Sequence, residues 1–123
     1  MRSFRQERGE AGEALARCYL DSAGYAIIAR NVRFPVGELD IVAWDGKTLC
    51  FVEVRSARTP RFGPAAASVT PVKQRRLIRA AQWYLQRLRR QPDAVRFDVV
   101  AIDGDPTVCE PTIRLIRGAF RVE

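Results

Sequence analysis

Asp40, Glu53 and Arg55 would bring two carboxylates and a guanidinium to one face of a short β-hairpin, a grouping suited to handling a phosphodiester. The stretch reads Gly37-Glu38-Leu39-Asp40-Ile41-Val42-Ala43-Trp44, then Asp45-Gly46, then Lys47-Thr48-Leu49-Cys50-Phe51-Val52-Glu53-Val54-Arg55. Asp-Gly between two alternating apolar runs signals a two-residue type I′ turn, in which both central residues take positive φ. That turn pairs Trp44 with Lys47, Val42 with Leu49, Asp40 with Phe51 and Glu38 with Glu53. Side chains alternate along a strand. One face then carries Leu39, Ile41, Ala43, Cys50, Val52 and Val54 as a core face, and the other carries Glu38, Asp40, Glu53 and Arg55. Like charges directly opposite one another weaken a ladder pair, so a cation or a cationic partner is needed to make the arrangement favourable.

Oxygen ligands suit Mg²⁺ or Mn²⁺, which are commonly held by one or two carboxylates together with waters and phosphate oxygens. Asp40 and Glu53 are diagonal neighbours in this register, with the Val54 carbonyl nearby. Arg55 points to the same side and could donate to a phosphate or to a charged transition state. A salt-bridged solvent face of Glu38, Asp40, Glu53 and Arg55 is the other reading of the same residues. Glu13 stands at the edge of the first helix's apolar arc, beside Gly9, Ala16 and Leu20. It either joins the acids, if the small residues let the helix approach the sheet, or faces solvent.

The 123 residues are enough for one domain, taken as residues 1–123, and carry a formal charge of +7. Excess positive charge favours polyanions: DNA, or RNA in its place. Histidine is absent, which removes a Ser-His-Asp triad, a histidine base and histidine-ligated metals. Three widely spaced cysteines with no CxxC pair speak against structural zinc. Cys18 on a helix's apolar face and Cys50 on the hairpin's core face are expected to be buried, reduced thiols. No apolar run has the length of a membrane span and no signal-like segment follows Met1. A reducing, cytoplasmic setting fits, with no membrane partner; the state of association is open, a dimer included.

The elements that must position these residues follow from periodicity. Residues 5–23 predict an amphipathic helix with Ala11, Ala14, Leu15, Cys18, Tyr19 and Ser22 at helical spacing, ended by Gly24. Residues 25–32 read as a strand that leads into the hairpin, and 56–68 as a loop. Thr70-Pro71 caps a second helix running to about residue 90, stopped by Gln91-Pro92-Asp93. Residues 95–102 read as a buried strand, Gly104-Asp105-Pro106 as a turn and 112–116 as a last strand, after which the chain runs out. Asp98, a charge in that buried strand, needs a partner, for which Arg96 or Arg33 is placed. The order α-β-β-β-α-β-β gives an α/β domain with a mixed sheet flanked by helices.

Read along its whole length, the chain resembles the YraN family, a bacterial group related in fold to PD-(D/E)xK nucleases and archaeal Holliday-junction resolvases. The residues that carry the resemblance are Gly9-x-x-Gly12-Glu13-x-x-Ala16, Arg30-Asn31-x-Arg33, Gly37-Glu38-Leu39-Asp40 and Phe51-Val52-Glu53-Val54-Arg55. Phe62-Gly63, Lys73, Arg96-Phe97-Asp98-Val99-Val100 and Ala119-Phe120 continue it in order. The resemblance implies a restriction-endonuclease-like core. It makes Asp40 the first metal-binding acid, Glu53 the acid of the E-x-K element and Glu13 the first-helix glutamate that joins the site. Arg55 stands where those nucleases usually have lysine. Because arginine does not give up its proton, it can orient or stabilise but cannot serve as a base.

The remaining basic residues form the expected nucleic-acid set. Arg58 and Arg61 lie on the 56–68 loop, the candidate mobile clamp. Lys73, Arg75, Arg76 and Arg79 lie on the second helix and could follow a phosphate track; a solvated basic face gives the same run. Trp83 is expected in the core. These residues lead to a metal-dependent DNA endonuclease, possible substrates including branched or junction DNA. Kept beside it are a nucleic-acid-binding module without catalysis and a structural adaptor with a salt-bridged acidic face.

Overall fold

The computed structural model describes residues 4–105 and 107–122; Pro106, the last residue of the expected turn, lies outside them. Helix α1 spans Phe4–Ser22, strands β1, β2 and β3 span Ala26–Phe34, Gly37–Asp45 and Thr48–Ala57, helix α2 spans Pro71–Gln86, and strands β4 and β5 span Ala94–Asp103 and Thr112–Phe120. Two short 3₁₀ turns, Pro60–Phe62 and Ala65–Ser68, join β3 to α2. The sheet runs β1-β2-β3-β4-β5, and only β3 and β4 pair in parallel. The result is the restriction-endonuclease-like α/β core that the element order and the resemblance imply. Among the described residues no helix is long and apolar enough to cross a membrane.

The crossover through α2 leaves the parallel pair covered on both faces, and its apolar runs Leu49–Val52 and Val99–Ile102 face helices or turns on either side. On one face Ile41, Ala43, Cys50, Val52, Val100 and Ile102 pack on Ala16 and Leu20 of α1. On the other, Leu39, Val42, Leu49, Phe51 and Phe97 pack on Ala80 and Ala81 of α2. Val99 and Ala101 continue that second face beneath Ala65 of the 3₁₀ turn. Helix α1 is rotated from the stripe expected of it. Its buried line is Gly12, Ala16 and Leu20, and a Cβ on Gly12 would stand 2.9 Å from Ser56 Oγ. Backbone contact at glycine, which a count of apolar side chains does not register, sets the helix's rotation.

That rotation leaves Cys18 exposed, against the expectation of a buried thiol, whereas Cys50 is fully buried and Cys109 is exposed. Burial, with the Asp98 charge adding to it, pushes the Cys50 thiol up to about 12. Thiolate is the reactive form. A chromogenic disulfide reagent at pH 8 is therefore expected to titrate Cys18 and Cys109 within minutes and Cys50 only on denaturation; rapid reaction at Cys50 in the native protein would contradict this packing.

Other boundaries also move. Thr70 caps α2 as expected, its Oγ1 accepting from Lys73 N at 3.3 Å. The helix stops at Gln86, before the expected residue 90. Gln91 Nε2 donates to the Leu85 carbonyl at 2.7 Å, and Arg87 Nη1 to the Trp83 carbonyl at 2.8 Å, so side chains satisfy the last turn. Trp83 is half-buried, tilted against Phe34 with ring centroids 5.8 Å apart. Strand β5 continues through Gly118 to Phe120, whose ring stacks on Phe97 at 5.0 Å.

Candidate metal and phosphate site

The hairpin turn is one residue later than the Asp-Gly reading places it. Asp45 pairs with Thr48, so the loop is Gly46-Lys47. Gly46 has φ 61° and Lys47 no positive φ, the pattern of a type II′ turn, which needs the left-handed conformation at its first central residue alone. The two-residue change in pairing preserves the faces but alters the neighbours. The ladder runs to Ile41↔Val52, and its continuation brings Asp40 level with Glu53.

Asp40 sits where β2 kinks. Leu39 belongs to the α2-side cluster although Ile41 and Ala43 belong to the α1 side, so the alternation breaks between them. In the facing stretch of β1, Asn31 takes φ 52°, a conformation that asparagine tolerates better than most non-glycine residues. At the kink the Asp40 carboxylate replaces a backbone partner: its Oδ2 accepts from Val54 N at 2.9 Å. It is thus the Val54 N–H, where the carbonyl was expected, that meets the acid.

Glu53 is half-buried and hydrogen-bonded to Asp40. Burial, then the bond to Asp40 and the Asp40 charge, pushes its carboxyl up to about 9 against the opposing charges of Arg55 and Lys73. Desolvation and a neighbouring carboxylate both disfavour the ionised form of Glu53. Glu53 lines a narrow pocket with Leu39, Asp40, Phe51, Leu77 and Phe97. Lys73 stands one helical turn before Leu77 on the same side of α2, which brings a second cation to the pair.

Arg55 is anchored from its other side. Its Nε donates to Ser68 Oγ at 2.8 Å, and Ser68 Oγ donates to the Ala65 carbonyl at 2.7 Å. An open groove of about 500 Å³ joins Arg55 and Asp40 to Glu13, Asn31, Arg33 and Glu38. Glu13 accepts from Asn31 Nδ2 at 3.0 Å, and so borders the groove on the α1 side. Glu38 forms its ion pair with Arg33, its ladder partner, at 3.7 Å, and not the pairing with Arg55 expected of a salt-bridged hairpin face. Among the described residues no three of Asp, Glu and Cys converge as a ready-made metal cage. The donor set is two carboxylates, which fits a hard cation that completes its shell with water and phosphate.

The structure distributes the basic residues over two surfaces. Arg58 pairs with Asp105 at 3.6 Å, and the Arg61 guanidinium lies 5.4 Å from the centre of the Phe62 ring. Arg75, Arg76 and Arg79 are exposed on α2. Arg75 and Arg79 line a groove of about 660 Å³ with Ile78, Phe120 and Arg121. Asn31 and Ser68 were not singled out as site residues by spacing. The tolerance of asparagine for left-handed backbone was a usable signal for the first; nothing in the sequence tied Ser68 to Arg55.

The chain matches the model of the "Uncharacterised protein family UPF0102" over residues 12–102. It is 50% identical over 112 residues to a UPF0102 protein of Symbiobacterium thermophilum, covering 91% of this chain and 94% of the relative. A UPF0102 protein of Herminiimonas arsenicoxydans is 54% identical over 103 residues, covering 84% and 82% of the two chains. One from Desulfosudis oleivorans is 44% identical over 120 residues, covering 98% and 94%. The match spans the kinked β2, the E-x-R segment of β3 and the start of α2, and the chain belongs to the UPF0102 family, the YraN family.

Proposed function

We propose that this protein is a Mg²⁺- or Mn²⁺-dependent DNA endonuclease, with Asp40 and Glu53 as the metal ligands. The observation that carries the reading is the juxtaposition of these two half-buried carboxyl groups at the kink of β2, a like-charge pair that a divalent cation would hold together. The fold gains nothing from such a pair that an apolar residue could not supply.

A bound cation supplies charge stabilisation on the phosphodiester and a more acidic water. The chain's own residues do the rest. Val54 N–H fixes the Asp40 carboxylate. Ser68 fixes Arg55 Nε, leaving the terminal guanidinium nitrogens to donate to a non-bridging phosphate oxygen. Lys73 adds positive charge from α2, and Glu13, oriented by Asn31, borders the groove through which a strand would reach the acids. Arg75, Arg76 and Arg79 would hold more distant phosphates.

Mn²⁺ in hundredfold excess over its Kd is expected to stabilise the protein by about 2.7 kcal/mol, a rise in Tm on the order of 10 °C. Asp40→Asn and Glu53→Gln should abolish the rise. In metal-free buffer Asp40→Asn should not lower Tm, because it removes a like charge from beside Glu53 while its amide oxygen can still accept from Val54 N. Equal metal-induced shifts in wild type and both variants would remove these acids as the ligands. Cleavage of branched, flapped and single-stranded DNA with Mn²⁺ then tests the activity itself.

A further inference from the structure

We propose that Phe62 is a stacking platform for an unpaired nucleobase at the mouth of the acid site, so that the DNA taken there is single-stranded or frayed. The proposal rests on the DNA reading above and specifies its substrate class. Phe62 is 89% exposed, more than any other large hydrophobic side chain among the described residues. Exposing a phenyl ring forgoes about 1.5–3 kcal/mol of burial, and Phe62 returns nothing to the core.

Its surroundings indicate what the ring is for. The 3₁₀ turn Pro60–Phe62 closes with Gly63 N donating to the Pro60 carbonyl at 3.0 Å, which presents the ring outward. The stem of the loop is tied down: Ala65 N donates to Asp103 Oδ1 at 2.8 Å, and Gly104 N to the Ala57 carbonyl at 2.9 Å. Phe62 borders a hollow of about 300 Å³ that also contains Arg55, Arg58 and Ser68. Arg55 and Ser56 line this hollow and the acid groove alike, so the ring's hollow adjoins the groove that holds Asp40.

Arg61 stands over one face of the ring, 5.4 Å from its centre, and the other face with the neighbouring Arg55 and Arg58 matches one nucleotide in two parts, the base on the ring and its phosphates on the guanidinium groups. The bases of an intact duplex are already stacked on one another and do not offer that face. An apolar protein partner would offer nothing to Arg58 and Arg61, which are exposed beside the ring.

The test compares wild type, Phe62→Ala and Phe62→Trp for binding to a single-stranded oligodeoxynucleotide and to a blunt duplex of equal length, without metal. Stacking contributes about 1–3 kcal/mol per base, so Phe62→Ala is expected to weaken single-strand binding about tenfold and leave duplex binding and Tm unchanged. Phe62→Trp should retain single-strand affinity, with its added indole emission quenched on saturation. Unchanged single-strand binding by Phe62→Ala, or equal losses on both DNAs, overturns the proposal while leaving the DNA reading in place. So does a Phe62→Ala variant that differs from wild type only in sedimentation, which would assign the ring to self-association. A wild type that binds neither DNA overturns both.

Discussion

Asp98→Ala is expected to cost about 3–5 kcal/mol of stability, the usual consequence of removing one partner from a buried ion pair. Asp98 is fully buried and accepts four hydrogen bonds: from Arg96 Nε at 2.8 Å and Nη2 at 2.9 Å, from the Tyr25 hydroxyl at 2.7 Å and from Gly118 N at 2.9 Å. Arg96 also reaches Asp45 at 2.7 Å. These contacts lock β4 to β5 and to Tyr25, the residue before β1, so removing the carboxylate leaves four donor atoms on three segments without this acceptor. Burial alone would raise the Asp98 carboxyl, but Arg96, Gly118 and Tyr25 outweigh it and hold it below the usual carboxylate range. A depressed native pKa contributes stability that is present above the unfolded value, near 3.9, and is lost as pH falls toward the native one. Tyr25 sets the opposite limit. Burial, then the bond to Asp98, raises its phenol well above the usual range, and that contribution is lost as pH rises past about 10. Urea unfolding of wild type, Asp98→Ala and Tyr25→Phe from pH 3 to 11 checks both signs. An Asp98→Ala loss below 1 kcal/mol at pH 7, or an acid limb as steep in Asp98→Ala as in wild type, would contradict this account.

The need for a partner at Asp98 was readable, because an acid inside an apolar run has few other ways to exist, and Arg96 is the partner. The third and fourth ligands were not. Tyr25 is 73 residues away in sequence, and the Gly118 N–H arrives only because β5 continues past the point where its alternation ends. A register shift lies between Phe97 and Val99 in the β4–β5 pairing, so the period-two pattern that marks a strand fails where the strand is held most firmly. The element order was legible because each element carries a local signal. Helix rotation and turn register were less so. The first depended on backbone approach at Gly12. The second depended on a choice between two turn types that Asp45-Gly46-Lys47 satisfies almost equally well.

The candidate site shows the same division. Parity along the strands put Glu53 and Arg55 on one face, a conclusion that survives a two-residue change in pairing. The kink that frees Asp40 from the ladder is a joint property of β1 and β2, marked by Asn31, and no single-strand pattern contains it. Lys73 was legible only as one cation of the basic second helix, on its first turn, where the dipole disfavours it. Its proximity to Glu53 required the packing of α2 on the sheet. The link from Arg55 through Ser68 to the 3₁₀ turn crosses thirteen residues and had no sequence signature.

That link shapes the second large effect. Arg55→Ala is expected to lower Mn²⁺-dependent cleavage about 10²–10³-fold, the usual loss when one positioned donor to a developing charge is removed, while the Mn²⁺-induced rise in Tm is retained because the carboxylates are untouched. Arg55→Lys should keep cleavage within about tenfold of wild type, since an ammonium still supplies positive charge there, although it lacks the fork geometry and the Nε bond to Ser68. Ser68→Ala separates the two functions of the side chain: it leaves the charge and removes the anchor, so its loss should fall between those of Arg55→Lys and Arg55→Ala and appear in kcat more than in KM. A purely structural Arg55 predicts a different pattern, in which Arg55→Ala and Ser68→Ala lower Tm in parallel and neither alters cleavage beyond what unfolding explains. The deciding data are cleavage rates and melting curves on the same preparations. A wild type that cleaves none of branched, flapped or single-stranded DNA in Mn²⁺ would overturn the nuclease reading and leave the acid pair to be explained as a binding site alone.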